Sequence, residues 1–229
     1  DGSDVLSKIR ILSSLAFNKK LSKNVCLKNG IEDIELSDIQ MAEKLDLKIK
    51  LLGITEVINN KLFERVHPCL IKKDNYIANI DGVMNAVILE GLPVGESVLQ
   101  GEGAGPGPTS SALMSDLLSI LRGNIKFPFG IPNSKRKKIN FYDKNQNSSS
   151  LYLRLEVRDK PGVLSQITKQ LAKYKISIER LIQIPDHRRK RASIVIITHK
   201  AKELNSDKCL QSFKSNKNVL KKPTIIRLF

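Results

Sequence analysis

The sequence predicts a mixed α/β (α+β) protein in two parts: an open sheet with helices on one side, followed by a compact βαββαβ unit. Three observations carry this. Apolar residues recur at helical spacing in some segments and alternate in others, so helices and half-buried strands are both present. The charge is divided unevenly, with 15 Lys and Arg against 16 Asp and Glu in residues 1–132 but 24 against 7 in residues 133–229, within a net charge of +16. Between them "NSKRKKINFYDKNQNSSS", 133–150, loses apolar periodicity and has the Lys, Asn and Ser content of a solvated linker. The expected divisions are therefore 1–132, 133–150 and 151–229.

Val5, Ile9, Leu12 and Ala16 keep helical spacing, and "FNKK" from 17 carries the turn and cationic signals of a helix end. Ser37 and Gln40 have capping-box spacing before "MAEKL", which predicts a short helix over 38–45. "LKIKLLGITEV", 47–57, alternates as a strand. "KLFERVHP", 61–68, reads likewise and is expected to stop at Pro68, whose preceding residue is biased to extended geometry. "NAVILE", 85–90, and "VGESVLQG", 94–101, flank Gly91-Leu92-Pro93 as a hairpin. Behind them Ala112, Leu113, Leu117, Ile120 and Leu121 form a helical stripe, with Thr109 or Ser110 placed to cap it.

The second part is more regular. Leu151, Leu153, Leu155 and Val157 alternate with polar residues, and "DKPG" turns the chain into a helix carrying Val163, Leu164, Ile167 and Leu171. Ile176, Ile178, Ile182 and Ile184 mark a second strand, and "PDHRRKR" turns it into a third, "ASIVIIT". A helix near 205–214 and a last strand in "PTIIRLF" complete the βαββαβ order of the ferredoxin-like unit.

Composition excludes several classes. The longest apolar runs, such as "SIVII" at 193–197, fall far short of the roughly 18 to 20 residues of a membrane span, and no hydrophobic signal segment opens the chain. A soluble cytoplasmic protein is expected. Cys26, Cys69 and Cys209 are isolated, and His67-x-Cys69 is the one ligand-like spacing, so neutral thiols and no metal site are expected. The run Lys135–Lys138 reads first as part of a soluble tether. A cationic βαββαβ unit also suits RNA recognition, which needs exposed aromatics on its inner strands. "LYLRLEV" offers only Tyr152 and "ASIVIIT" none, so nucleic acid is not an expected partner.

Four stretches carry candidate chemistry. "GEGAGPGPTS", 101–110, fails the dinucleotide fingerprint, because Pro106, Pro108 and Ser110 stand where its third glycine is required, and no Gly-Lys-Ser/Thr follows for a P-loop. A ligand-facing backbone and a mere turn remain equal alternatives. Asp4 and Lys8 share a helix face at i, i+4, where a solvent-exposed pair worth roughly 0.3 to 0.5 kcal/mol is the default reading. Proton transfer would need a cleft that lowers the lysine from about 10.4 towards roughly 7 to 8. His67 reads as structural. "RDKPGVL", 158–164, fits either a tight turn or a small-molecule pocket at a helix start.

"DGSDVLSKIRILSSLAF", "IKLLGITEV", "RVHPCLI", "ANIDGVMNAV" and "GEGAGPGPTSSALMSDLLSI", in this order, resemble the substrate-binding and dimerisation part of homoserine dehydrogenases. The resemblance implies NAD(P)-dependent, reversible interconversion of L-homoserine and L-aspartate 4-semialdehyde, with Lys8 shuttling the proton and Asp4 helping to hold the substrate. It implies that Gly103 and Gly105 meet the cofactor, Gly105 at the nicotinamide nucleotide. It also implies a homodimer or homotetramer joined through the first sheet, and an upstream nucleotide-binding domain of which this chain is the C-terminal continuation. Residues 151–229, with "DKPGVL" at the strand-to-helix entry, resemble an ACT domain. That implies an amino-acid effector, L-threonine first, near Asp159 and Gly162. A stand-alone amino-acid sensor without catalysis is the competing reading.

Overall fold

The computed structural model describes residues 1–21, 25–124, 127, 129–186 and 188–229. One mixed seven-stranded sheet spans both expected parts. Its pivot is β3 (Lys61–Lys72), which pairs antiparallel with β2 (Leu47–Ile58) along one edge. Its other edge is shared by two parallel partners, β1 (Leu27–Lys28) opposite Arg65 and Val66, and the last strand, β11 (Thr224–Leu228), opposite Cys69 and Leu70. From β11 the sheet continues antiparallel through β7 (Leu151–Arg158), β9 (Arg191–Thr198) and β8 (Ile178–Asp186). The C-terminal strand thus welds the βαββαβ unit to the first part.

Pro68 does not stop β3, contrary to the sequence expectation. The carbonyls of Glu64, Val66 and Leu70 accept from Cys26, Asn29 and Phe229, so even-numbered residues of β3 aim their polar groups at the shared edge. Pro68 falls between the reach of β1 and that of β11, where no partner requires the N–H it lacks.

Helices α1 (Ser3–Ala16) and α2 (Leu36–Lys44) both pack on β2. Met41 and Ala42 of α2 join Leu70, Tyr152, Val195 and Ile226, so α2 covers strands of both parts. The opposite face of the βαββαβ sheet is covered by α4 (Val163–Lys173) and α5 (Glu203–Lys214). There Val163, Ile167, Leu171, Cys209 and Phe213 meet Leu153, Leu155, Ile194 and Ile196 in the largest core. Each such aliphatic side chain contributes on the order of 1.5 to 3 kcal/mol through burial. Helices α1 and α2 differ from expectation in detail. In α1 the buried residues are Leu6, Ser13 and Ser14, while Ala16 is exposed, because Ser13 Oγ bonds Thr55 Oγ1 at 2.9 Å. In α2 the capping box is Glu35 with Asp38, two residues before the expected Ser37, because both carboxylates take the first-turn amides.

The segment expected as a solvated tether is tied down. Arg136 is buried, donates to the carbonyls of Ser14 and Lys19 and lies 4.0 Å from the Phe129 ring. Lys19 in turn donates to Glu64 at 2.7 Å, and burial holds its pKa below the ordinary lysine value although Glu64 opposes the shift. Two minor strands, β6 (Ser148–Ser149) and β10 (Ala201–Lys202), pair antiparallel. Beside them Ser149 Oγ donates to Glu203 at 2.6 Å, and Arg227 makes a two-pronged pair with the same carboxylate at 2.8 and 2.7 Å. Burial would raise the Glu203 pKa, but the Arg227 guanidinium holds it below its usual range.

The hairpin β4 (Met84–Gly91) and β5 (Gly95–Glu102) forms a separate two-stranded sheet, followed by α3 (Pro106–Leu121). No residue of α3 is buried, and Leu113, Leu117, Ile120 and Leu121 face solvent. Among the described residues no helix is long and apolar enough to cross a membrane.

His67 lies in the middle of β3, buried. Its Nδ1 donates to Pro68 O at 3.1 Å with Cys69 Sγ at 3.2 Å, leaving Nε2 without a partner among the described residues. Burial, then the nearby Arg227 charge, lowers its pKa from 6.5 to about 4. The neutral ring therefore adds stability that is complete above pH 6.5 and lost as the pH falls through 4, amounting to roughly 3 kcal/mol. Urea unfolding of wild type and His67→Gln at pH 7 and pH 4 checks this: wild type should lose about that much more stability on acidification than the variant.

Candidate functional site

Three places carry the candidate residues. The first is the open face of α1. Lys8 Nζ lies 2.9 Å from Asp4 Oδ2, with the side chains 59% and 78% exposed. What orients the pair is the opposite face of the helix. A Cβ on Gly53 of β2 would come within 2.8 Å of Val5 Cγ1 and 3.2 Å of Ile9 Cβ, so the missing side chain lets α1 lie directly on the strand. Asp4 and Lys8 each directly precede one of these contact residues, on a helix whose register is fixed by the sheet. The pair is held at the surface.

The second place is the glycine stretch. Gly105 is the N-cap of α3, at φ 123° and ψ 164°, a backbone region open essentially to glycine alone. The helix begins at Pro106, earlier than the Thr109 or Ser110 cap expected from sequence, because proline is well suited to the first helical position. Ser110 instead returns its hydroxyl to Pro106 O. Prolines at 106 and 108 remove two of the four N–H groups that a helix start leaves open, which makes a weak cradle for a diphosphate. The backbone is nevertheless bare: a Cβ at Gly107 would meet open space, and Gly105, Pro106, Thr109, Ser110 and Leu113 border a shallow cavity of about 540 Å³. Gly103 differs, since its Cβ would lie 1.6 Å from Asn85 Nδ2, so this glycine admits the Asn85 side chain. Neither Asp4 nor Lys8 borders this cavity.

The third place is the turn from β7 into α4. Asp159 and Gly162 are brought together on a cavity of about 410 Å³ whose apolar floor includes Val157, Val163, Leu164 and Ile194, with Gln183 of β8 at its side. Gly162 caps α4 at φ 83°, and among the described residues no side chain caps the first turn. The Asp159 N–H donates to Lys190 O, which ties the β8–β9 turn to the rim. Sequence reasoning named Asp159 and Gly162 but missed Gln183, because an exposed glutamine on an alternating strand carries no signal of its own.

Tyr152, the one aromatic available for RNA stacking, is buried under α2 and donates to Asp38 at 3.0 Å. Burial, reinforced by Asp38, raises its pKa, so the phenol stays a donor.

The βαββαβ unit with a cavity at its first strand-to-helix turn defines a protein with an ACT domain, and the ACT family model matches residues 151–216. The homoserine dehydrogenase family model matches residues 1–118, and the chain belongs to that family. It is 36% identical to a homoserine dehydrogenase of Neisseria gonorrhoeae over all of this chain and 54% of that protein, and 35% identical to one of Helicobacter pylori over 99% and 53%. A crystal structure of a homoserine dehydrogenase from Thiobacillus denitrificans superposes with a TM-score of 0.85 at 33% identity, covering 100% of this chain and 53% of that one. The Staphylococcus aureus homoserine dehydrogenase structure at pH 6.0 gives 0.63 at 26% identity. The chain thus spans about half the length of the relatives it matches.

The two loop glycines should respond differently to alanine. Gly105→Ala forces φ 123° on a residue with a Cβ, costing about 1 to 3 kcal/mol locally, and should raise hydrogen exchange in the first turns of α3. Gly103→Ala should disturb the hairpin only while Asn85 is present, and Gly103→Ala with Asn85→Ala should restore wild-type exchange.

Proposed function

We propose that this chain is the substrate-binding and regulatory half of an NAD(P)-dependent homoserine dehydrogenase, acting between L-homoserine and L-aspartate 4-semialdehyde. The observation that carries the reading is the Asp4–Lys8 pair on the open face of a helix locked to the sheet at Gly53, in a chain of this family. In the oxidative direction the alcohol loses a hydride from carbon and a proton from oxygen, leaving the carbonyl. Bound NAD(P) supplies the hydride acceptor. Lys8 Nζ takes the hydroxyl proton, and in reduction returns it to the carbonyl oxygen. Asp4 holds the Lys8 ammonium and helps bind the substrate. Gly103 and Gly105 lie on the cofactor side, with the bare shelf at Gly105 against the nicotinamide end.

The exposed apolar face of α3 and the open Asp4–Lys8 pair both lack a cover within the described residues. The additional half of the relatives' length provides it, seating on α3 and closing a cleft over α1. We assign residues 1–132 to the substrate-binding and dimerisation part, 133–150 to the connector and 151–229 to the ACT domain. The assembly is a cytoplasmic homodimer or homotetramer, and the cavity at Asp159 and Gly162 takes an amino-acid effector, L-threonine first.

A second reading, an amino-acid sensor without catalysis, is favoured by one observation: Asp159 and Gly162 border a cavity lined by residues of this chain, whereas the Asp4–Lys8 pair stands in solvent. Activity separates the two. The 229-residue chain should show no homoserine oxidation, and the chain extended to its relatives' length should show it. In that longer protein Lys8→Ala should lower kcat by roughly 10² to 10⁴ with little change in KM, and Asp4→Asn should chiefly raise KM. Turnover unchanged in Lys8→Ala contradicts the catalytic reading. Calorimetric binding of L-threonine with no activity in the extended chain supports the sensor.

A further inference from the structure

Arg154 sits where the two parts of the chain meet. It lies on β7, whose far end, at Val157 and Arg158, borders the effector cavity. Its guanidinium is 4% exposed and grips Asp38 of α2 by two bonds, Nε to Oδ1 at 2.6 Å and Nη2 to Oδ2 at 3.0 Å. Thr224 Oγ1 accepts at 3.1 Å, and the Glu35 and Glu156 carboxylates stand at 3.2 and 3.3 Å. Asp38 is itself wholly buried and has three tasks: it receives Arg154, accepts the Tyr152 hydroxyl, and accepts the Glu35 N–H at 2.9 Å to close the cap of α2.

A buried carboxylate shared in this way cannot give up one partner cheaply, since breaking such a pair strands an uncompensated charge away from water. When β7 moves, the start of α2 therefore moves with it. From α2 the contacts continue to Leu47 and Ile49 of β2, and from Gly53 of the same strand to Val5 and Ile9 of α1, which directly follow Asp4 and Lys8. The parts also meet at β3 with β11, a two-residue parallel register where the buried Arg227 stands opposite Cys69 and directs its guanidinium to Glu203 of its own part, and at the exposed pairs Lys221–Glu35 and Lys222–Asp33.

We propose that the Arg154–Asp38 clamp is the positioning device through which occupancy of the β7–α4 cavity is transmitted to α2 and onward to α1. This rests on the reading of that cavity as an amino-acid effector site. Arg154 acts through Asp38 and touches neither substrate nor cofactor.

Hydrogen exchange of the α2 amides in the 229-residue chain tests the clamp under two perturbations of the cavity. One is saturating L-threonine. The other is Gly162→Ala, which strains the rim at φ 83° whether or not a ligand binds. In the wild-type background Gly162→Ala should change α2 exchange by roughly fivefold or more, and L-threonine should do so in the opposite sense. In Arg154→Met with Asp38→Asn, which removes both charges together, neither should alter α2. An α2 that ignores Gly162→Ala in the wild-type background, or still responds to it without the clamp, overturns the proposal. If Gly162→Ala behaves as expected while L-threonine does nothing, the clamp stands and the choice of effector fails. Should the double variant not fold, Arg154→Lys with Tyr152→Phe keeps the charges, loses the two-pronged geometry, and should weaken the response; an undiminished response overturns the proposal equally.

Discussion

The rest of the structure depends on β3 having partners along both edges. A strand flanked on one side by β2 and on the other by β1 and β11 cannot belong to one part of the chain alone. Its pairing makes the C-terminal strand a member of the first sheet and places the ACT unit edge to edge with it. That placement puts α2 over strands of both parts, and α2 is where the buried Asp38 finds Arg154. Hydrogen-bond satisfaction explains the unusual element in this arrangement: proline is tolerated in mid-strand because its missing donor falls in the gap between two short parallel partners.

Much of the fold was legible in the sequence. The βαββαβ unit could be read strand by strand, since Leu151 to Val157 and Ile194 to Ile197 report burial directly through alternation or an apolar run. The hairpin was equally clear, read over 85–90 and 94–101 and found as Met84–Gly91 and Gly95–Glu102. What the sequence did not show was long-range pairing. "NSKRKKIN" looks like a tether because its composition is that of one, yet Arg136 is buried by carbonyl acceptors of Ser14 and Lys19, more than a hundred residues earlier in the chain. Likewise Arg154 and Tyr152 stand at the positions of β7 that alternation marks as solvent-facing, and only the covering helix, from a distant stretch of sequence, buries them.

The candidate sites were legible to different degrees for a related reason. Asp159 and Gly162 are close in sequence, so a local motif brings them to one cavity. Asp4 with Lys8 and the Gly103–Gly105 loop lie about a hundred positions apart, and each is held by its own local device: Gly53 beneath α1, and a glycine-only backbone at Gly105. The glycine loop keeps only two of the four amides that a helix start offers a phosphate and presents a bare backbone at Gly107.

The claim on which this account turns is that the Lys8 amine itself moves the substrate proton. Chemical rescue measures it most directly. In Lys8→Ala of the chain extended to its relatives' length, added methylamine should restore homoserine oxidation in proportion to the concentration of free amine, and the restored rate should follow the pKa of the added base. A variant that turns over undiminished without added amine would contradict the account.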